Sequence, residues 1–261
     1  MQAGDLKVMD GAAAGAWIRP ALGSEVSRVA DQVPQIYEAY VRIFHPAVLA
    51  GGKPVRWAEV AEAMARTAHR EMQWESLIAG SSEWEGQAPM TGWMDVDELD
   101  SLCEILAPHT TSPDHCYFGL CTIECWEESF SADELKPLLE LPHGRDHIVL
   151  AGPLSAVDQI ARDWSRSSSG SAIFFARKGD AASPKPPDDW GPRRDVPNLI
   201  WPEDHSWFLA SEVDFDSTLV GGSAALIEAI VQSPALEAWQ VEPTDSLAYD
   251  ADKINWAPAA G

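Results

Sequence analysis

HCYFGLCTIECW, residues 115–126, is the stretch of sequence that most directly indicates the fold. Its residues fall into two alternating sets, one containing Phe118 and Leu120 and the other Tyr117 and Cys121. A period of two places successive side chains on opposite faces of a strand, and aromatic residues favour strands. The stretch therefore predicts a strand within a sheet.

Other elements are predicted on both sides of this strand. Strands are expected over residues 36–44, 147–151, 207–215 and 236–241, and helices over 55–70, 95–107, from 155 onward and 221–232. At the start of the second helix, Glu98 follows Asp95 by three residues, as in a capping box. We expect an α+β (mixed α/β) fold, with a mostly antiparallel or mixed sheet of about five or six strands flanked by helices.

The chain divides into segments of different composition. Residues 1–20 hold Asp5, Lys7 and Asp10 among small residues, which predicts a loose leader and not a signal peptide. Residues 21–256 are expected to form a single globular domain, with a subdivision near the linker-like residues 80–92 as the alternative. Residues 179–197 are rich in proline and predict a flexible loop.

The net charge of −23 is concentrated in two parts of the chain. Residues 81–140, the first acidic segment, contain 14 acidic residues and one basic residue. Residues 201–252, the second acidic segment, contain 11 acidic residues and no Lys or Arg. Such a field repels nucleic acid and anionic lipid and attracts cationic partners, so we expect no nucleic-acid partner. The competing interpretation is a solvated surface that keeps the protein soluble.

Several other classes are disfavoured by the sequence. No apolar run approaches the length of about 18 residues that a membrane span needs, so no membrane association is expected. The 4 cysteines are too few to staple a chain of 261 residues, and reduced thiols are typical of a cytoplasmic protein. The chain has no G-x-S-x-G, H-E-x-x-H or Walker motif, so we assign no catalytic residue and no cofactor.

A row of carboxylates is the main candidate site. If residues 207–215 form a strand, Glu212 and Asp214 project from one face, and Asp216 follows at its end. Carboxylates at this spacing could bind a hard cation or divide acid and base roles, with His205 joining from the preceding loop. The alternative is a solvent-facing polar row on a half-buried strand. Trp201 and Trp207 are candidates to line an apolar pocket.

Parts of the sequence look familiar. LIWPEDHSW (199–207), SEVDFDST (211–218), VGG (220–222) and LEAW (236–239), with YVRIFHPA (40–47) and RWAEV (56–60), resemble a family of acidic, tryptophan-rich actinobacterial proteins whose activity is uncharacterised. The resemblance extends over most of the chain. It implies a bacterial, cytoplasmic protein with one integrated fold, and it supplies no activity, cofactor or partner.

Two functions follow as hypotheses. The first is a non-enzymatic acidic protein that docks a basic protein partner, as an immunity or antitoxin-like inhibitor does, because acidic surfaces speed the capture of cationic partners. The second is a metal-assisted hydrolase or transferase that uses the carboxylate row on strand 207–215. A ligand-binding module with a tryptophan-lined pocket is a third alternative.

Overall fold

The computed structural model describes residues 6–80, 84–124, 130, 132–157, 160 and 196–255. Its strands are β1 (Lys7–Met9), β2 (Ala39–Phe44), β3 (Ala47–Val48), β4 (Pro54–Val55), β5 (Cys116–Cys121), β6 (Leu139–Glu140), β7 (Asp146–Gly152), β8 (Leu199–Pro202), β9 (Phe208–Ala210), β10 (Ser217–Gly222) and β11 (Ala238–Val241). Its α-helices are α1 (Gly11–Ala14), α2 (Val29–Gln32), α3 (Trp57–Ala63), α4 (Trp74–Ile78), α5 (Val96–Leu106) and α6 (Ala224–Val231).

One large sheet organises the molecule. In the part of the chain that the structure describes, it has nine strands in the order β1-β7-β5-β8-β9-β10-β2-β11, with β6 pairing beside β1 on β7. The pairs between these strands are antiparallel. The α+β class is therefore confirmed, but the expected count of about five or six strands is too low. β8 and β10 were missed because they end in Pro202 and in Gly221-Gly222, residues that weaken a strand signal.

The expectation of a loose leader over residues 1–20 is wrong for residues 7–20. Lys7 to Met9 pair with Ala151 to Val149 and form an edge of the sheet. Gly11 donates its N–H to the Pro137 carbonyl at 2.7 Å, and Ile18 is completely buried. A three-residue strand gives almost no periodic signal, so its pairing depends on β7, which lies far away in the sequence.

The predicted helix over 55–70 is shorter in the structure. α3 begins at Trp57, where Glu237 accepts hydrogen bonds from the backbone N–H groups of Trp57 (2.6 Å) and Ala58 (2.8 Å). It ends at Ala63, and Ala65 then has a φ of 52°, which a continuing right-handed helix does not allow. The predicted helix start at Asp95 is confirmed, but its side chain accepts from the Asp97 N–H at 2.9 Å and not from Glu98 as a capping box requires.

The sheet carries a core on each face. Phe118, Trp207 and Val220 lie on the face covered by α5 and α6. Tyr117, Trp201 and Phe208 lie on the other face, which the N-terminal segment and α2 cover. Full burial of one such side chain contributes about 1.5–3 kcal/mol, so the alternation along each strand sets its register strongly. A third apolar cluster around Trp57 and Trp74 packs beside β2.

The remaining sequence predictions concern segments that are only partly described. Residues 179–195 of the predicted flexible loop lie outside the described residues, and Val196 at its end is buried. Within residues 80–92, Gln87 pairs through its backbone with Val48. None of the described helices is long and apolar enough to cross a membrane.

Candidate functional site

The carboxylate row does not lie on a strand. β9 ends at Ala210, and residues 211–216 form the turn that leads to β10. The Phe215 N–H bonds to the Glu212 carbonyl at 3.0 Å inside this turn, and the Gly92 N–H bonds to the Phe215 carbonyl at 2.8 Å. The prediction of a strand over 207–215, with Glu212 and Asp214 on one strand face, is therefore wrong.

Glu212 and Asp214 nevertheless meet at one side chain, Arg145. The Arg145 Nε donates to Glu212 Oε1 at 2.8 Å, and its terminal nitrogen pairs with Asp214 Oδ2. Burial raises the pKa of Glu212 even though Arg145 opposes that shift. Burial would lower the pKa of Arg145, but its hydrogen bond and charge interaction with Glu212 raise it on balance. The guanidinium thus compensates two of the three carboxylates that were predicted as ligands.

Asp216 points to a different cation. Its Oδ1 lies 3.4 Å from a terminal nitrogen of Arg42, a side chain that is buried in the fold. Arg42 also donates to Ser217 Oγ at 2.9 Å and to the Met72 carbonyl at 3.2 Å. Its guanidinium carbon lies 4.4 Å from the centre of the Phe44 ring. Asp216 therefore compensates a buried arginine, which costs much less than leaving that charge unpaired.

His205 lies away from these carboxylates, at the opposite end of the sheet. It belongs to the turn of residues 203–206 between β8 and β9, whereas residues 211–216 follow the other end of β9. Its ring stacks on Trp17 with centroids 4.1 Å apart, and its φ is 54°. Burial lowers the pKa of His205, although Asp204 and Glu203 oppose this shift. Among the described residues, no group of three or more His, Cys, Asp or Glu side chains is arranged to hold a metal ion.

Trp201 and Trp207 do not line one pocket. Both are completely buried, and they belong to the cores on opposite faces of the sheet. Trp201 stacks with Tyr117 and Phe208, at centroid distances of 5.3 and 5.8 Å. The two tryptophans thus act as core anchors, which is the usual role of a large aromatic ring.

The turn of residues 203–206 presents a second, different group of carboxylates. Asp204 accepts hydrogen bonds from Thr110 Oγ1 (2.8 Å) and from the Thr111 N–H and Oγ1 (both 2.7 Å), and the Ser206 N–H reaches its other oxygen at 3.0 Å. Partial burial would raise the pKa of Asp204, but these hydrogen bonds hold it well below its usual range. Asp204 therefore keeps its charge in a fixed position.

Two exposed acidic residues lie next to Asp204. The pairing of Cys116 with Pro202 brings Asp114 beside Glu203, whose N–H bonds to the His115 carbonyl at 2.8 Å. Burial raises the pKa of the Cys116 thiol to about 12, and the charges of Asp204 and Asp114 add to that shift. We call Asp114, Glu203 and Asp204 the acidic corner. None of the ion pairs between described residues includes any of the three.

The two acidic segments come together in the fold. β5 of the first segment pairs with β8 of the second, and α5 packs against α6 on one face of the sheet. Asp97 and Glu104 on α5 and Glu228 on α6 remain exposed. The sequence indicated the acidic segments but missed the acidic corner, because the corner depends on the register between β5 and β8.

Sequence reasoning also missed a chain of buried polar groups at the other end of the sheet. His45 Nδ1 lies 2.8 Å from the Met90 carbonyl, which can only accept, so this nitrogen carries the proton in the neutral ring. Its Nε2 therefore accepts from Thr218 Oγ1 at 2.9 Å, and Thr218 contacts Ser211 in turn. Because these partners are all satisfied inside the fold, they are best explained as structural.

Comparisons with protein-family models, curated proteins and solved structures found no match to this chain, so no family assignment follows from them.

Proposed function

We propose that this protein is a non-enzymatic, cytoplasmic binding protein that docks a basic protein partner, in the manner of an immunity protein or an antitoxin-like inhibitor. The acidic corner is the observation that carries this proposal. Asp114, Glu203 and Asp204 converge from both acidic segments, are exposed, and have no described cationic partner. In contrast, Glu212, Asp214 and Asp216 are already paired with arginines and are less available to a partner.

The physical advantage of such a corner lies mainly in the rate of association. Clustered charges of one sign steer an oppositely charged partner and raise the association rate, and the effect weakens as salt shortens the Debye length to about 8 Å at 0.15 M. Asp204 is fixed by its hydrogen bonds from Thr111 and Ser206 and loses little freedom on binding. Glu203 and Asp114 extend the same field outward.

The first step of the test is to identify the partner by co-purification from the source cells at low salt. The second step compares two double variants of equal net charge. Asp114→Asn/Glu203→Gln removes charge from the acidic corner, whereas Glu25→Gln/Glu62→Gln removes the same charge from exposed positions outside both acidic segments. Asp204 is kept, because its side chain holds the turn.

We expect the corner variant to lower the association rate constant about three- to tenfold at low salt and to reduce its salt dependence, while the control variant stays close to wild type. Surface plasmon resonance at several salt concentrations measures both quantities. If the two variants change the association rate constant equally, the acidic corner has no specific role in binding and its charges serve to keep the protein soluble. Failure to recover any partner at low salt would count against a binding function as a whole.

A further inference from the structure

Residues 248–255, which we call the latch, lie against the loop of residues 66–73 that joins α3 to α4. Residues 242–247, just before the latch, are anchored differently. The Leu247 N–H bonds to the Ser27 carbonyl at 2.6 Å, the Val29 N–H bonds to the Asp245 carbonyl at 3.2 Å, and the Leu247 side chain is buried. Asp245 also forms a bidentate ion pair with Arg70, whose Nε lies 2.8 Å from Oδ2 and whose Nη2 lies 3.1 Å from Oδ1. These contacts involve none of the latch residues.

The latch is held mainly by Asp252. This side chain is completely buried; its Oδ1 lies 2.8 Å from His69 Nε2, and its Oδ2 accepts from the Gln73 N–H at 3.3 Å. The Glu71 N–H donates to His69 Nδ1, so in the neutral ring Nε2 carries the proton and donates to Asp252. The Glu71 N–H and the Asp252 carboxylate together fix the orientation and the tautomer of His69.

Asn255 forms the second attachment. Its Oδ1 accepts from the Thr67 N–H at 2.9 Å, and its Nδ2 donates to the Thr67 carbonyl at 2.9 Å, as a neighbouring strand would. Asn255 is itself tied to Asp252, since its N–H and Nδ2 both donate to that carboxylate, at 2.7 and 2.9 Å. The two attachments therefore form one connected network, in which loss of Asp252 also loosens Asn255.

Apolar burial contributes little to the latch. Within it, Ala251 is buried, whereas Tyr249 is 78% exposed and Ile254 is 62% exposed. The described contacts between the latch and the loop are polar, including one from Arg66 to the Asn255 carbonyl at 3.4 Å, and none of the latch residues belongs to the apolar cores on the two faces of the sheet. A segment held in this way opens by itself before the fold does.

We propose that residues 248–255 open and close as a unit about the anchor at residues 242–247, and that closure gates access to His69 and to the backbone N–H groups of Thr67 and Gln73. In the closed state Asp252 occupies His69 Nε2 and the Gln73 N–H, and Asn255 occupies the Thr67 N–H, all from within the same chain. In the open state the donors become available to an acceptor from solvent or from another molecule. The proposal does not depend on the binding function.

Hydrogen exchange followed by NMR tests the proposal in the full chain. In the wild type, the amides of Thr67, Gln73 and Asn255 should exchange at a common rate that hardly changes in low denaturant. The amides of Val41 and Val220 in the central strands should exchange only through global unfolding. The proposal is wrong if the two sets of amides share one free energy of opening and one denaturant dependence.

A matched pair of variants gives the second test. Asp252→Asn removes a charge from the network and places an N–H₂ group against existing donors, whereas Asp250→Asn removes the same charge from an exposed position that contacts Lys253. We expect at least about tenfold faster exchange of Thr67 and Gln73 in the first variant and unchanged exchange in the second, as loss of one charged contact implies. Equal exchange in the two variants would overturn the role of Asp252. If Asp252→Asn fails to fold, the wild-type measurement decides alone.

Discussion

The Nε of Arg145 lies 2.8 Å from Oε1 of Glu212, and this contact joins the start of β7 to the turn between β9 and β10. The pair is largely shielded from solvent, since the side chain of Arg145 is 24% exposed and that of Glu212 is 9% exposed. It therefore joins two separate parts of the same end of the sheet. The carboxylates that first suggested a metal site are used in ion pairs that stabilise this end of the sheet.

Replacing Arg145 should destabilise the fold. Arg145→Gln leaves the carboxylate of Glu212 buried without its cation, which we expect to cost about 1–3 kcal/mol in the free energy of unfolding. Urea denaturation measures the loss. The double variant Arg145→Gln/Glu212→Gln should recover part of it, because no buried charge is then left uncompensated and the remaining partner, Asp214, is exposed. A double variant less stable than the single one would contradict this account.

Divalent cations should not bind at the carboxylate row. The Arg145 and Arg42 side chains already neutralise Glu212, Asp214 and Asp216, and a cation would have to displace them. In thermal-shift measurements with Ca²⁺, Mg²⁺, Mn²⁺ and Zn²⁺, wild type and Glu212→Gln/Asp214→Asn should therefore show the same response to each ion. A stabilisation present in wild type and lost in the variant would restore the metal-assisted hypothesis.

Glu98 should make stability fall as the pH rises. Burial raises the pKa of this carboxyl from 4.5 to about 8, with the charge of Asp95 adding to the shift, and one of its oxygens has no partner. The folded state thus holds a proton that the unfolded state releases, so stability declines from about pH 4.5 to above pH 8. The melting temperatures of Glu98→Gln and wild type should agree best near pH 5. At pH 9 the melting temperature of the variant should be higher relative to that of wild type. If the melting temperatures of variant and wild type differ by the same amount at both pH values, Glu98 does not lose a proton from the folded state between them.

The buried histidines should have the opposite effect at acid pH. Burial lowers the pKa of His147 to about 3 and that of His45 to about 4, so both are neutral in the folded protein. The unfolded state binds protons first as the pH falls below about 6.5, and the stability that these residues contribute is lost between there and pH 3–4. Denaturation curves of His147→Phe should show a weaker loss between pH 6.5 and 4 than wild type. NMR titration of the imidazole checks the pKa directly, and a value near 6.5 would refute the prediction.

Local sequence signals predicted the elements that depend on local chemistry. Asp95 starts α5 because its side chain can reach a free N–H group two residues away, which the sequence alone reveals. β5 was predicted from its alternation, and the structure places Phe118 and Tyr117 on opposite faces. The same alternation predicts a strand beyond Ala210, because Val213 and Phe215 continue the pattern, whereas the chain turns there and the Gly92 N–H bonds to the Phe215 carbonyl from a distant segment.

The candidate site could be predicted less well than the fold. The sequence indicated how much negative charge the chain carries, but the acidic corner exists only because β5 pairs with β8 in a particular register. The arginines that neutralise the carboxylate row come from positions 42 and 145, far from it in the chain. Such partners depend on tertiary pairing, which no local pattern contains.

The central position of β2 has a consequence for how the protein is made. Val41 pairs with Val220 on one side and with Gln240 on the other, so neither neighbour of this strand exists until the ribosome has passed residue 220. At about 5–20 residues per second, a ribosome needs about 10–40 s to make the roughly 180 residues that separate β2 from its partners. During that interval a strand whose six residues are all buried in the folded protein has no sheet to join, and a nascent-chain chaperone that shields it would be expected to raise the yield of folded protein.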